Sequence, residues 1–117
     1  MPHLTTWVSI PATDLERAVA FYASVLDTKL DIVECDDERM ACFDDDVGCL
    51  VQSPKYKPAA EGAIVSLGVH DLNAALARAE RAGAKTLVGK TRIETEQGGH
   101  FALLSDTEGN TIGLHKV

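Results

Sequence analysis

Hydrophobic and polar positions along this chain form short blocks, and the blocks recur in the same order. A β-prone run at 5–10 comes first, with β-branched and aromatic residues. The next segment, 15–26, has apolar residues at three- and four-residue steps, the spacing that predicts a helix with one buried stripe. A strand-like run at 63–69 and a second amphipathic segment at 72–79 repeat this order. The pattern therefore predicts two similar structural units.

The repeat is also visible in the residues themselves. Residues 14–20 match residues 71–77 at an offset of 57, and the same offset aligns 7–10 with 64–67. Self-similarity at a fixed offset indicates copies of one module. Two prolines interrupt the segment 53–58, and proline disfavours regular structure there. We therefore expect modules at 1–57 and 58–117 that form one compact domain.

Three short strand candidates follow each predicted helix. In the first module they are 29–35, 39–43 and 48–52, and in the second they are 86–88, 100–104 and 111–117. The predicted order is therefore β-α-β-β-β, twice, which is an α+β architecture. Thr13 and Glu16 form a possible capping box at the start of the first helix, and Gly83 suits the end of the second.

Composition and charge narrow the class of protein. The chain has 117 residues, of which 45% are hydrophobic and 25% charged, as in ordinary globular domains. Its formal net charge of −7 disfavours nucleic acid as a partner, because phosphates would be repelled. No apolar stretch approaches the roughly 20 residues of a membrane span, and the first residues lack a secretory signal pattern. We therefore expect a cytoplasmic protein that contacts no membrane.

The chain contains three cysteines, Cys35, Cys42 and Cys49. Their number is odd, and no pair has the Cys-x-x-Cys spacing of zinc or redox motifs. Their seven-residue spacing gives no assurance that they meet in space. We expect free thiols that pack as small hydrophobic side chains.

Two motifs resemble those of the vicinal oxygen chelate superfamily, which includes glyoxalase I, extradiol dioxygenases and the bleomycin- and fosfomycin-resistance proteins. One motif is Ile-Pro-Ala-Thr-Asp-Leu-Glu-Arg-Ala at 10–18, running into Phe21-Tyr22, and the other is Ser-Asp-Thr-Glu-Gly-Asn-Thr-Ile at 105–112. The resemblance spans essentially the whole chain. It implies a glyoxalase-like fold, in which two tandem βαβββ modules with curled mixed sheets enclose a cleft. It also implies a homodimer.

In the family's enzymes the cleft holds a divalent metal, and three ligand positions can be carried over to this sequence. They correspond to Trp7 and Ile64 on the first strands of the two modules and to Gly113 on the last strand. An indole donates only through its N–H, and the other two side chains offer no lone pair. We therefore predict no metal at the family site and no cofactor.

Several other residues are candidates for the ligand-binding cleft. Strand alternation places His115 on the face of Gly113, although it is equally a partly exposed histidine near the chain end. His100 follows a glycine-rich turn and either borders the cleft or faces solvent. Trp7 can stack on a planar ligand or fill the space of a metal site. Ser9 and Ser66 share the faces of Trp7 and Ile64, and their hydroxyls bind either a ligand or nearby backbone.

Two functions follow from these residues. The first is a glyoxalase- or bleomycin-resistance-like protein that binds a small molecule, cationic or aromatic, without metal. The alternative is a glyoxalase-like lyase or isomerase, or a dioxygenase-type metalloenzyme, that uses displaced ligands. Those ligands would be His100, His115 and a carboxylate from Glu94 or Glu96, which must converge on one point.

Overall fold

The computed structural model describes residues 4–95 and 98–116. The first module contains β1 (Val8–Pro11), α1 (Leu15–Leu26), β2 (Ile32–Cys35), β3 (Glu38–Cys42) and β4 (Gly48–Gln52), with a short 3-10 turn at Asp44–Asp46. The second contains β5 (Val65–Gly68), α2 (Leu72–Arg81), β6 (Lys85–Arg92), β7 (His100–Ser105) and β8 (Thr111–Lys116). The predicted β-α-β-β-β order is therefore confirmed in both modules. The expected boundary at 57/58 lies in the linker between β4 and β5.

Each module forms its own four-stranded mixed sheet. The strand orders are β1-β4-β3-β2 and β5-β8-β7-β6, with a parallel pair at β1/β4 and at β5/β8 and antiparallel pairs elsewhere. The β1/β4 pair needs glycine at position 48, because a Cβ there would lie 2.2 Å from the Val8 carbonyl oxygen. The predicted α+β class is thus correct. The two sheets are open and separate, and they do not close into a barrel.

One hydrophobic core serves both modules. It contains apolar residues from α1 and α2 and from one face of each sheet: Ile10, Leu15, Ala18, Phe21, Tyr22, Val25, Ala41, Leu50, Leu72, Ala75, Ala79, Ala102, Leu104, Ile112 and Leu114. The two helices pack against each other, and the Arg78 guanidinium on α2 donates hydrogen bonds to the Ser24 and Val25 carbonyls at the end of α1. These bonds satisfy carbonyl groups that a helix end leaves free.

The helix ends differ in part from the prediction. The N-cap of α1 is Asp14, whose side chain accepts a hydrogen bond from the Arg17 N–H at 3.1 Å. The predicted capping box of Thr13 and Glu16 is therefore wrong, because Glu16 binds the Arg39 guanidinium of β3 instead. At α2 the prediction holds, since the helix ends at Arg81 and Gly83 adopts a positive φ of 110°.

The turn between β7 and β8 joins the second module to the first. Asp106 accepts a hydrogen bond of 2.5 Å from the buried Tyr22 hydroxyl of α1. Asn110 donates through Nδ2 to the Pro11 carbonyl, and Glu108 accepts from the backbone N–H groups of Thr13 and Asp14. This turn therefore fixes how the two modules pack.

Neither helix is suited to crossing a membrane. With 12 and 10 residues, α1 and α2 are too short to span a bilayer. Within the described residues, no helix is both long enough and apolar enough to cross a membrane.

Candidate functional site

Each sheet has one face that packs on the core and one open face. Because side chains alternate along a strand, register assigns the open-face residues directly. The N-module face includes Ser9, Val33, Met40, Cys42 and Cys49. Trp7, the residue before β1, joins this face through its hydrogen bond to Ser9. The C-module face includes Ser66, Val88, Phe101, Leu103, Gly113 and His115. Alternation extends this face to Ile64, which lies just before β5. These two faces carry six of the seven residues that the sequence predicts at the site, and only His100 lies elsewhere.

The two open faces flank a seam between the edge strands β1 and β5. Residues of both strands, among them Ser9, Pro11 and Val65, line a cavity of about 160 Å³ at this seam. The linker crosses the same region, because the Ala59 N–H donates to Asn110 Oδ1 and the Thr111 hydroxyl donates to the Ala60 carbonyl. The first strands of the two modules therefore lie near each other.

Trp7 is the most distinctive side chain of the N-module face. It is 46% exposed, and its indole N–H donates a hydrogen bond of 3.1 Å to the Ser9 hydroxyl. The polar edge of the ring is thus held by the protein, whereas much of its apolar surface is open to solvent. A large aromatic ring held at one edge and exposed on its surface is suited to stacking on a planar molecule.

The residues at the three family metal positions do not fit a metal ion. The Trp7 indole is a donor only, and Ile64, 49% exposed, has a hydrocarbon side chain. Gly113 has no side chain, and a Cβ added there would lie 2.5 Å from the Ser66 hydroxyl oxygen. Within residues 4–95 and 98–116, no group of three or more His, Cys, Asp or Glu side chains is placed to hold a metal.

The two histidine candidates lie on opposite faces of the second sheet. His115 is half-buried and pairs with Phe101 on the C-module face. His100 pairs with Lys116, and alternation places it on the face of Ala102, which packs on the core. Glu94 is exposed beyond the end of β6, and Glu96 lies outside the described residues. The structure therefore does not bring the two histidines together.

A larger groove of about 600 Å³ lies at the start of α1, where the sequence predicted no site. Arg39, Ser53, Tyr56, Lys57 and Glu108 are among the residues that line it. Two of these charged groups already have partners inside the protein. Arg39 binds Glu16 and Glu34, and Glu108 binds Arg17. Because these two charged groups are already paired within the protein, we do not assign the function to this groove.

An ion pair between Arg17 and Glu108 lies beside this groove. Burial by itself would raise the pKa of Glu108, but hydrogen bonds from the Arg17 guanidinium and the Asp14 N–H, with the charge of Arg17, outweigh it and lower the pKa below its usual value. The Arg17 Nε and Glu108 Oε2 atoms are 2.6 Å apart, and the Glu108 side chain has no exposed surface. Glu108 is therefore an internal anion that holds the start of α1.

Comparison with known families and structures is consistent with this architecture. Residues 7–115 match the family model described as a glyoxalase-like domain. No curated protein matches the chain. A glyoxalase/bleomycin resistance protein from Albidiferax ferrireducens T118 has a TM-score of 0.72 at 17% identity, with 98% of this chain and 100% of that chain covered.

Two further solved structures share the fold at low identity. TnmS3, an antibiotic binding protein from Streptomyces sp. CB03234, has a TM-score of 0.67 at 24% identity, and the match covers 99% of this chain and 96% of that one. A glyoxalase I mutant from Zea mays has a TM-score of 0.70 at 20% identity over 94% of this chain. The match covers only 44% of the maize chain, so our chain corresponds to less than half of that enzyme.

Proposed function

Because the chain belongs to the glyoxalase-like domain family, we propose that it binds a small planar molecule, without a metal ion, on the open faces of its two sheets. The observation that carries this proposal is the half-exposed Trp7 ring, which stands where the family's first-strand ligand would stand. Its N–H is already bonded to Ser9, so the ring surface is the part left for a ligand. The net charge of −7 favours a ligand that is neutral or cationic.

Two further observations favour a binding protein over an enzyme that holds a metal through ligands at displaced positions. One structural neighbour, TnmS3, is an antibiotic binding protein, which shows that this fold accommodates such a role. In addition, His100 and His115 lie on different faces of one sheet, so they do not form the shared site that the enzyme hypothesis requires. The cytoplasmic location remains a prediction.

Replacement of Trp7 by alanine is expected to weaken binding of proflavine, a planar aromatic cation, by about tenfold or more. The change removes the stacking surface, and an aromatic contact with a cation is worth about 1–2 kcal/mol. Proflavine fluorescence anisotropy, measured with and without EDTA, gives the affinity. We expect the wild-type affinity to be the same in both conditions.

Tyr56→Ala is the matched control, because Tyr56 is also an exposed aromatic residue, at 49%, but lies on the linker. It should leave proflavine binding unchanged. Equal affinities of the wild-type protein and the Trp7→Ala variant would contradict the proposal. Loss of binding in EDTA, restored by a divalent ion, would contradict its metal-free part.

We also propose that the binding protein is a homodimer. Both sheets present exposed apolar residues on their open faces, including Val33 at 54% and Val88 at 39% exposure. The outer strands β2 and β6 are sheet edges with unpaired backbone groups. Proteins usually cover such edges and patches, and a second copy of the chain packed along β2 and β6 would do so here. Because β2 and β6 lie at the edges opposite β1 and β5, this contact leaves Trp7 open to a ligand.

Val33→Lys is expected to shift the protein from dimer toward monomer, because a charge would be buried in the proposed contact. Sedimentation equilibrium should give about twice the chain mass of 12.5 kDa for the wild-type protein and a lower mean mass for the variant. Ala20→Lys, on the exposed side of α1, is the control and should remain dimeric. A wild-type protein that is monomeric at all concentrations would contradict the dimer.

A further inference from the structure

Cys42 and Cys49 face each other across two neighbouring strands. They are direct partners in the antiparallel β3/β4 pair. The next pair toward the turn, Phe43 and Gly48, is hydrogen-bonded, with the Phe43 N–H donating to the Gly48 carbonyl at 2.9 Å. Since hydrogen-bonded and non-hydrogen-bonded pairs alternate, the cysteines occupy a non-hydrogen-bonded pair.

This position suits a disulfide. At non-hydrogen-bonded pairs the Cα atoms are about 4.5 Å apart and the side chains are closest. A disulfide requires Cα atoms about 4.4–6.8 Å apart. Cys42 and Cys49 can therefore be joined without a change of register, and both are free thiols in this structure.

The two thiols have different surroundings. Cys42 is exposed, whereas Cys49 is 2% exposed, with its sulfur 4.0 Å from the Ser9 hydroxyl oxygen. Burial raises the pKa of the Cys49 thiol, although the hydrogen bond with Ser9 offsets part of this. Cys42 is thus the thiol that a reagent in solution reaches first, and Cys49 is held beside it.

The charges next to Cys42 select among reagents. Asp44, Asp45 and Asp46 form the exposed turn between β3 and β4, within four residues of Cys42. No Lys or Arg lies between Cys42 and Cys49 in the sequence. This turn would attract cationic molecules and repel anionic ones.

We propose that Cys42 and Cys49 form a thiol–disulfide exchange site for small cationic disulfides. The Cys42 thiolate attacks one sulfur of the disulfide, whose S–S bond breaks, and one thiolate leaves and takes up a proton. Cys49, as thiolate, then attacks the Cys42 sulfur of the mixed disulfide and releases the second thiol. The protein dithiol loses two electrons and two protons, and the small disulfide becomes two thiols.

Cystamine is the probe, and a Cys35→Ser background removes the third thiol. Cys35 is exposed on the same sheet but pairs with Glu38, about 14 Å from Cys42 at about 3.4 Å per residue. It can therefore form only a mixed disulfide. Intact-mass spectrometry of the reduced Cys35→Ser protein after cystamine treatment should show loss of two hydrogens and no adduct, reversed by dithiothreitol.

Two double variants, each in the Cys35→Ser background, separate the two steps. Cys35→Ser/Cys49→Ala should stop at one cysteamine adduct on Cys42, with circular dichroism confirming that it is folded. Cys35→Ser/Cys42→Ser should react at least about tenfold more slowly, since only the buried thiol remains. If the protein with both thiols instead accumulates stable adducts or disulfide-linked dimers, the exchange site is overturned.

The preference for cationic disulfides is tested by comparing the rates of two disulfides of opposite charge. Cystamine should oxidise the pair at least about tenfold faster than glutathione disulfide, which is anionic, at low salt, and the two rates should converge in high salt. Equal rates at low salt, or faster reaction with glutathione disulfide, would overturn the cationic class. Trp7 fluorescence follows the reaction, because Trp7 and Cys49 both contact Ser9.

Discussion

Replacement of Asp106 by alanine is expected to lower the free energy of unfolding by about 4 kcal/mol, a large share of the stability of a small domain. The Asp106 carboxyl accepts hydrogen bonds from the Tyr22 hydroxyl, the Glu108 and Asn110 N–H groups and the Asn110 side chain. Asp106 is only 5% exposed. The variant would leave these donors unpaired where water has little access. Urea unfolding followed by circular dichroism measures the change.

Two further variants test whether the loss of stability comes from the buried hydrogen bonds of Asp106. Asp44→Ala removes an exposed aspartate and should leave the free energy of unfolding nearly unchanged, within about 0.5 kcal/mol. Tyr22→Phe removes one donor and should cost about 1.5 kcal/mol. Burial and the neighbouring Asp106 raise the pKa of Tyr22 far above its ordinary value, so its hydroxyl remains a donor at all working pH values. A loss below about 1 kcal/mol in Asp106→Ala would contradict a structural role for the turn.

The sequence was sufficient to predict the two modules, because local patterns determine them. The 57-residue repeat and the apolar spacing correctly located both helices, and runs of β-prone residues located the strands. The predicted second strand of the second module, 86–88, was too short, since β6 runs from Lys85 to Arg92 with irregular register. Its residues after Val88 are polar and exposed, so no hydrophobic alternation indicated a strand there.

Features that depend on contacts between distant residues were not predictable in the same way. Thr13 and Glu16 had the spacing of a capping box, but the Thr13 N–H donates its hydrogen bond to Glu108, and Arg39 binds Glu16. Both partners come from other strands or turns of the fold. The capping residue was instead Asp14, which lies next to Thr13 and is as good an N-cap residue.

The sheet face on which most candidate residues lie was predictable from the sequence, whereas their pairing across strands was predictable only in part. Alternation correctly indicated that Ser9 shares a face with Trp7 and that His115 shares one with Gly113. The pairing of Cys42 with Cys49 was missed, although two strands joined by a turn at 44–47 would place these residues opposite each other. The feature that could have predicted this pairing was the acidic turn between the two strands. The seven-residue separation of the cysteines did not by itself indicate that they pair.

Glu108 links the second module to α1 through the most extensive side-chain contacts in the described part of the chain. Its carboxylate accepts hydrogen bonds from the Thr13 and Asp14 N–H groups and from two guanidinium nitrogens of Arg17. The backbone groups lie at the start of a helix, where free N–H groups and the helix dipole favour an anion. These contacts stabilise the ionised carboxylate and therefore make folding depend on pH.

Glu108→Gln is expected to lower the free energy of unfolding by about 2 kcal/mol at pH 7. The pKa of Glu108 in the folded protein lies below its ordinary value of 4.5. The stabilisation is therefore complete above pH 4.5, and it is lost as the pH falls through the lowered folded-state pKa. Urea unfolding at a series of pH values should show the wild-type and variant stabilities converging in acid.

Glu16→Gln is the matched control, because Glu16 also pairs with an arginine but is exposed. Exposed ion pairs contribute little to stability, so this variant should follow the wild-type curve closely at every pH. A constant difference between the wild-type protein and Glu108→Gln from neutral to acid pH would contradict the assignment, since a purely steric effect of the substitution does not titrate. Convergence in acid for Glu108→Gln alone would show that the ionised carboxylate at position 108 contributes to the contact between the two modules.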